Sequence, residues 1–148
     1  MTLRVWARRV GYVASAFINV VILYVINVQP GWEDAPFLTD AAPRALVLVN
    51  LSLLAGIVAN AVYCLADGPW VKTVGDSTTT TIGLAALVRT WQVFPFDFAA
   101  WTFDWALVAR IVLVVALIGT VAALLVQAST LLRLAVGTLG HPGGHALR

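Results

Sequence analysis

The sequence predicts an all-α, polytopic membrane protein folded as an up-down bundle of four transmembrane helices. Three observations carry this expectation. Of the 148 residues, 61% are hydrophobic and 11% charged, and the mean hydropathy is +0.92. Soluble domains run at about 45 to 50% apolar and about 25% charged, so this chain has too few charges to clothe a water-facing surface. Long apolar runs recur between clusters of Pro, Gly and acidic residues, and a run of about 20 residues suits a bilayer crossing. The connections are short, so residues 1–148 read as one transmembrane domain without a separate soluble unit.

The first helix is expected over residues 10–28, behind a basic start with Arg4, Arg8 and Arg9. Such a start also describes a secretory signal. Against that, this apolar run is longer than a usual signal core, and no A-x-A-like site follows before the Gln-Pro-Gly at residues 29–31. Tyr12, Ser15, Asn19 and Asn27 share an arc of about 120° and read as interhelical hydrogen-bonding glue. A solute path is the alternative. Residues 29–44 form an acidic loop with Glu33, Asp34 and Asp40.

The second helix is expected over residues 45–66. Ser52, Gly56 and Asn60 stand four apart and give a small-residue face that admits a neighbouring backbone, while Asn50 lies outside it. A connection over residues 67–76 leads to an N-cap at Asp76 or Ser77, and the third helix is expected over 77–94, stopping before Pro95. This is the least greasy of the four, and it carries Arg89. Thr78, Thr81, Ala85, Arg89 and Gln92 fall within an arc of about 80°. A lone Arg near mid-bilayer costs at least ~2.5 to 3.5 kcal/mol unless it snorkels, so the stripe is expected to face the bundle interior. The four threonines at 78–81 can bond back to the preceding turn and need no ligand.

An aromatic loop with Asp97 and Asp104 follows, then a fourth helix over residues 105–132. Its Ala109, Ala116, Thr120, Ala123 and Gln127 lie within about 60° and read as a packing seam. The tail 133–148 is expected to be mobile.

Basic residues near span ends set orientation. Arg4, Arg8, Arg9, Lys72, Arg133 and Arg148 stand against Asp67 and Asp76 on one side, while Arg44, Arg89 and Arg110 stand against Glu33, Asp34, Asp40, Asp97 and Asp104 on the other. Both termini are therefore expected in the cytoplasm. Trp6 and Trp70 then fall at the inner boundary, and Trp32, Trp91, Trp101 and Trp105 at the outer one. The preference for Arg over Lys suggests a GC-rich bacterial genome and hence the cytoplasmic (inner) membrane.

The outer cluster supplies the candidate ligand-binding residues: Arg44, Arg89, Arg110, Asp97, Asp104, Gln92 and Trp91. The plain reading is a clamp of ion pairs, such as Arg89 with Asp97 or Asp104 and Arg110 with Asp40 or Glu33. The sharper one is a pocket for a lipid phosphate or a carboxylate, and a third is a dock for a partner subunit. Asn19, Asn27, Asn50, Asn60, Thr78 and Thr81 are candidates for packing or for a solute pathway.

Other chemistry is discounted. His141 and His145 lie in the tail, where they serve neither as haem ligands within the spans nor as more than two ligands to a metal. The one cysteine, Cys64, makes no disulfide. All seven acids fall at expected helix ends or loops, unlike the mid-membrane carboxylate of many proton-coupled carriers. Fingerprints for hydrolases, nucleotide binding and metalloproteases are absent. No catalytic residue, metal or cofactor is assigned, an enzyme is not expected, and the basic residues make no stripe suited to nucleic acid.

An Arg in the third helix followed by VFPFDF (93–98) and FDW (103–105), together with PGW (30–32), resembles small uncharacterised four-span bacterial inner-membrane proteins. The resemblance implies a four-span fold and brings no activity. The expected function is a non-enzymatic membrane protein that acts by interaction, as an accessory or scaffold subunit or by binding lipid. A carrier or channel component for a small anionic or polar solute is the alternative. Expected partners are membrane lipids, another membrane protein, or a second copy.

Overall fold

The computed structural model describes residues 2–139, as four helices: α1 (Thr2–Asn27), α2 (Ala42–Leu65), α3 (Pro69–Val93) and α4 (Trp105–Leu139). Local chemistry explains the boundaries. Beyond α1 the Gly31 backbone takes φ +86, open to glycine without strain, and the Gly31 and Trp32 N–H groups return to the Val25 and Ile26 carbonyls at 2.9 and 2.7 Å. Proline in the first turn of α2 and of α3 occupies a position where no amide hydrogen bond is lost. α3 closes on Phe94, which adopts the left-handed conformation (φ 40) and donates to the Thr90 carbonyl just before Pro95. The Asp104 carboxylate caps α4 by accepting the Leu107 N–H at 2.9 Å.

α1, α2 and α4 are each long and apolar enough to cross a membrane. α3 is as long, at 25 residues, but is more polar and does not reach that standard.

α2 starts three residues early, at Ala42, and three other boundaries differ more from expectation. α1 starts at Thr2 instead of residue 10, so Arg4, Arg8 and Arg9 are helical. α3 starts at Pro69 instead of 77, which reduces the connection to residues 66–68 and places Lys72 and Asp76 on the helix as an i,i+4 pair. The drop in hydropathy over 71–76 marks a polar turn of helix and no loop. α4 runs on to Leu139, so residues 133–139 of the expected tail are helical. His141, His145 and Arg148 lie outside the described residues.

Neighbouring helices run antiparallel. Asn27 at the end of α1 meets Asn50 near the start of α2, Arg89 near the end of α3 meets Arg44 at the start of α2, and Thr80 of α3 meets Gln127 of α4. One end of the fold therefore carries the loops 28–41 and 94–104, and the opposite, turn end carries the connection 66–68.

α1 packs on α2, α2 on α3 and α3 on α4; among the described residues no other pair of helices comes to packing distance. The four helices thus form an open succession and do not close around a common core, as the expected bundle does. The buried hydrophobic residues among those described are Ala42, Ala45, Tyr63, Ala86 and Leu113. Small residues set the seams. A Cβ on Gly56 of α2 would come within 2.7 Å of the Asn19 Nδ2 of α1. The face of α4 with Ala109, Ala116, Thr120, Ala123 and Gln127 is half-buried against α3 along its whole length.

Candidate functional site

The polar stripe of α3 is where the open succession matters most. Thr78, Thr81, Ala85, Arg89 and Gln92 are all exposed. The covered side of α3 is the opposite one, where Ala86 is buried and Gly83, Leu87 and Thr90 line a groove with Ser52 of α2 and Leu113 of α4. The expectation that the stripe faces a bundle interior is corrected: α2 and α4 flank α3 and leave all five residues exposed, with Arg89 and Thr78 at the border with α2. Close packing falls on other faces: Gly75 lies against the Tyr63 hydroxyl of α2, and Ala86 is buried in the groove that α2 and α4 line.

The expected clamp of ion pairs at the loop end is not formed. Arg89 Nε donates to the Arg44 carbonyl at 3.4 Å. The Arg110 guanidinium lies 4.3 Å from the Phe94 ring centroid and 5.8 Å from that of Trp91, a cation–π arrangement between α4 and α3. Asp104 serves as the cap of α4, and Asp97 accepts the Ala99 N–H at 2.9 Å. Among the described residues the ion pairs are Arg8–Asp67 and Lys72–Asp76, both at the turn end. Three arginines (44, 89, 110) and five acids (33, 34, 40, 97, 104) therefore share the loop end without an ion pair between them. Gln92 is exposed on the same face as Arg89, and Trp91, also exposed, is turned toward Arg110.

Backbone and rings hold the two loops together instead. Leu38 and Phe96 form an antiparallel bridge: the Thr39 N–H donates to the Pro95 carbonyl at 3.0 Å and the Asp97 N–H to the Phe37 carbonyl at 2.9 Å. Phe37 stacks on Phe98, Phe98 on Phe96, and Phe96 meets Phe94 edge-on. Under this cap lies a cavity of about 530 Å³ between the end of α1, the start of α2 and both loops. Trp32, read from sequence as a boundary anchor, is half-buried and lines it.

The remaining polar candidates are bonded locally. Asn27 and Asn50 exchange two amide hydrogen bonds at 2.9 and 2.7 Å across α1 and α2. Asn19 abuts Gly56, and Asn60 donates to the Gly56 carbonyl at 2.7 Å. Thr78 and Thr81 donate to Val74 and Ser77 one turn back, at 2.9 and 2.7 Å.

A second polar cluster, at the turn end, is one that sequence reasoning missed. The Tyr12 hydroxyl donates to Asp67 at 2.9 Å, and Arg8 pairs with the same carboxylate at 3.3 Å. The Tyr63 hydroxyl lies 2.9 Å from an Asp76 carboxylate oxygen and 3.1 Å from the Lys72 carbonyl, and Lys72 Nζ meets Asp76 at 2.8 Å. The two tyrosine rings meet edge-on with centroids 5.5 Å apart, and Lys72 Nζ lies 5.1 Å from the Tyr63 centroid. This knot ties α1, α2 and α3 at one level. Its available signal was the i,i+4 Lys72–Asp76 spacing, which requires residues 69–76 to be helical.

Among the described residues no three His, Cys, Asp or Glu side chains gather as a metal site requires. Comparison with protein families, with curated proteins and with solved structures finds no match to this chain.

Proposed function

We propose that this protein is a membrane scaffold that works by associating with further copies of itself through the exposed stripe of α3. One observation carries the reading: Thr78, Thr81, Ala85, Arg89 and Gln92 form an exposed polar face, which α2 borders at Arg89 and Thr78. A guanidinium turned toward lipid is costly, and a stripe of small and hydroxylated residues admits close approach of a second helix. The charge arrangement favours a second copy as the cover. Copies inserted alike bring their loop ends to one level, where Arg44 and Arg89 of one chain meet Glu33 and Asp40 of the next.

In this reading all four helices cross the cytoplasmic membrane of a bacterium, α3 being shielded by its own neighbours and by the second copy. The basic turn end, with Arg4, Arg8, Arg9 and Lys72, lies in the cytoplasm. A solute path has less support, because Asn27 and Asn50 bond each other and Thr78 and Thr81 bond their own helix.

Native mass spectrometry after gentle extraction tests the proposal. The expected result is a multiple of the 15.8 kDa chain for wild type and a shift toward monomer for Arg89→Leu. Monomer for both, or an oligomer indifferent to Arg89→Leu, contradicts it.

A further inference from the structure

The cavity under the loop cap is walled by Val25 and Ile26 of α1, Ala45 and Val49 of α2, and Phe37 and Phe96 of the loops. Its polar side chains are few: Asp34, Thr90 and the Trp32 indole. The Thr90 hydroxyl is already bonded to the Ala86 carbonyl at 2.8 Å, which leaves the Asp34 carboxylate as the charged group on the wall. At about 530 Å³ the space is within the ~300 to 1,000 Å³ range of small-molecule sites, which are likewise mostly apolar with a few polar groups. The pocket opens outward between wall residues such as Val25 and Phe37, which are themselves exposed, so in a bilayer an apolar chain has access to it. An apolar occupant is what suits this one.

Position and charge narrow its chemistry. The cavity sits at the ends of α1 and α2, two helices long and apolar enough to cross a membrane. In a bilayer its neighbours are lipids, near headgroup depth. Asp34 is exposed, Glu33 and Asp40 share its loop, and none of the three is ion-paired among the described residues. Arg44, Arg89 and Arg110 are not on the wall. An acidic mouth over an apolar chamber favours an ammonium group above a hydrocarbon chain and disfavours a headgroup whose only charge is negative.

We propose that this cavity binds one acyl chain of an amine-headed lipid, with the ammonium group beside Asp34. The site uses none of the α3 stripe and stands apart from self-association, although it requires that α1 and α2 lie in a membrane.

The test is native mass spectrometry of the full-length protein with phosphatidylethanolamine or phosphatidylglycerol of matched chains. Wild type is expected to retain phosphatidylethanolamine in preference, and Arg89→Leu to retain it equally well even as a monomer. Ala45→Phe, which fills the cavity floor, is expected to lose the lipid, while Asp34→Asn keeps a bound lipid but loses the preference. Equal retention of the two lipids by wild type, or undiminished binding by Ala45→Phe, overturns the proposal. Should Ala45→Phe not fold, acyl-brominated phosphatidylethanolamine decides: it is expected to quench wild-type fluorescence more than that of Trp32→Phe, and equal quenching overturns the site.

Discussion

Tyr63 is the residue on which the turn end depends. It is buried, reaches Asp76 and the Lys72 carbonyl with its hydroxyl, and packs that hydroxyl against Gly75, where a Cβ would overlap it. Gly75→Ala is therefore expected to lower stability by about 1 to 3 kcal/mol through overpacking. Tyr63→Phe is expected to cost about 1 to 3 kcal/mol by leaving Asp76 a donor short. Because loss of the hydroxyl removes the nearest of the atoms the alanine would meet and leaves the ring carbons at 2.9 Å, the double variant should cost less than the sum of the two. Thermal unfolding of all three in one detergent checks this, and strict additivity would show the two sites to be independent. None of this was legible at the level of composition. Tyr63 reads as an interfacial aromatic until α3 is known to begin at Pro69.

At the scale of helices, the seams are set by small residues and short amides. Gly56 lets Asn19 approach, and Asn27 and Asn50 lock α1 to α2 near the loop end. A double-mutant cycle with Asn27→Leu and Asn50→Leu is expected to give a coupling of about 0.6 kcal/mol and no more than ~1.7, the mean and the maximum known for hydrogen bonds between membrane helices. A coupling near zero would mean that the amides find other partners. These seams were readable from the sequence in part: of the arc of Tyr12, Ser15, Asn19 and Asn27, all but the exposed Ser15 meet α2 or its end, and the small face of α4 meets α3. The ends of α3 and α4 were not. Hydropathy falls where a helix leaves the apolar run, but the helix itself continues: around Lys72 and Asp76 it is held by an ion pair and by Tyr63, and beyond Leu132 it runs on through Gly137 to Leu139.

For the whole molecule the consequence is an open row of helices with a polar stripe, carrying one arginine, along one outer face. The sequence supplied the stripe and its five members. It could not supply the direction in which they point, because that is decided by which of the four helices touch, and the faces of α2 and α4 suit α3 on its other side. The ion pairs expected at the loop end failed for a related reason: Phe94 and Trp91 offer Arg110 their rings, while Asp97 and Asp104 are taken up by backbone N–H groups. If further copies complete the row, the stripe should be shielded in the membrane.

The most direct check is a photoreactive maleimide placed on Ala85→Cys in a Cys64→Ala background and activated in the native membrane. Self-association through α3 predicts a covalent pair of identical chains, weakened by adding Arg89→Leu. Adducts to lipid alone, or to a different protein, would contradict it.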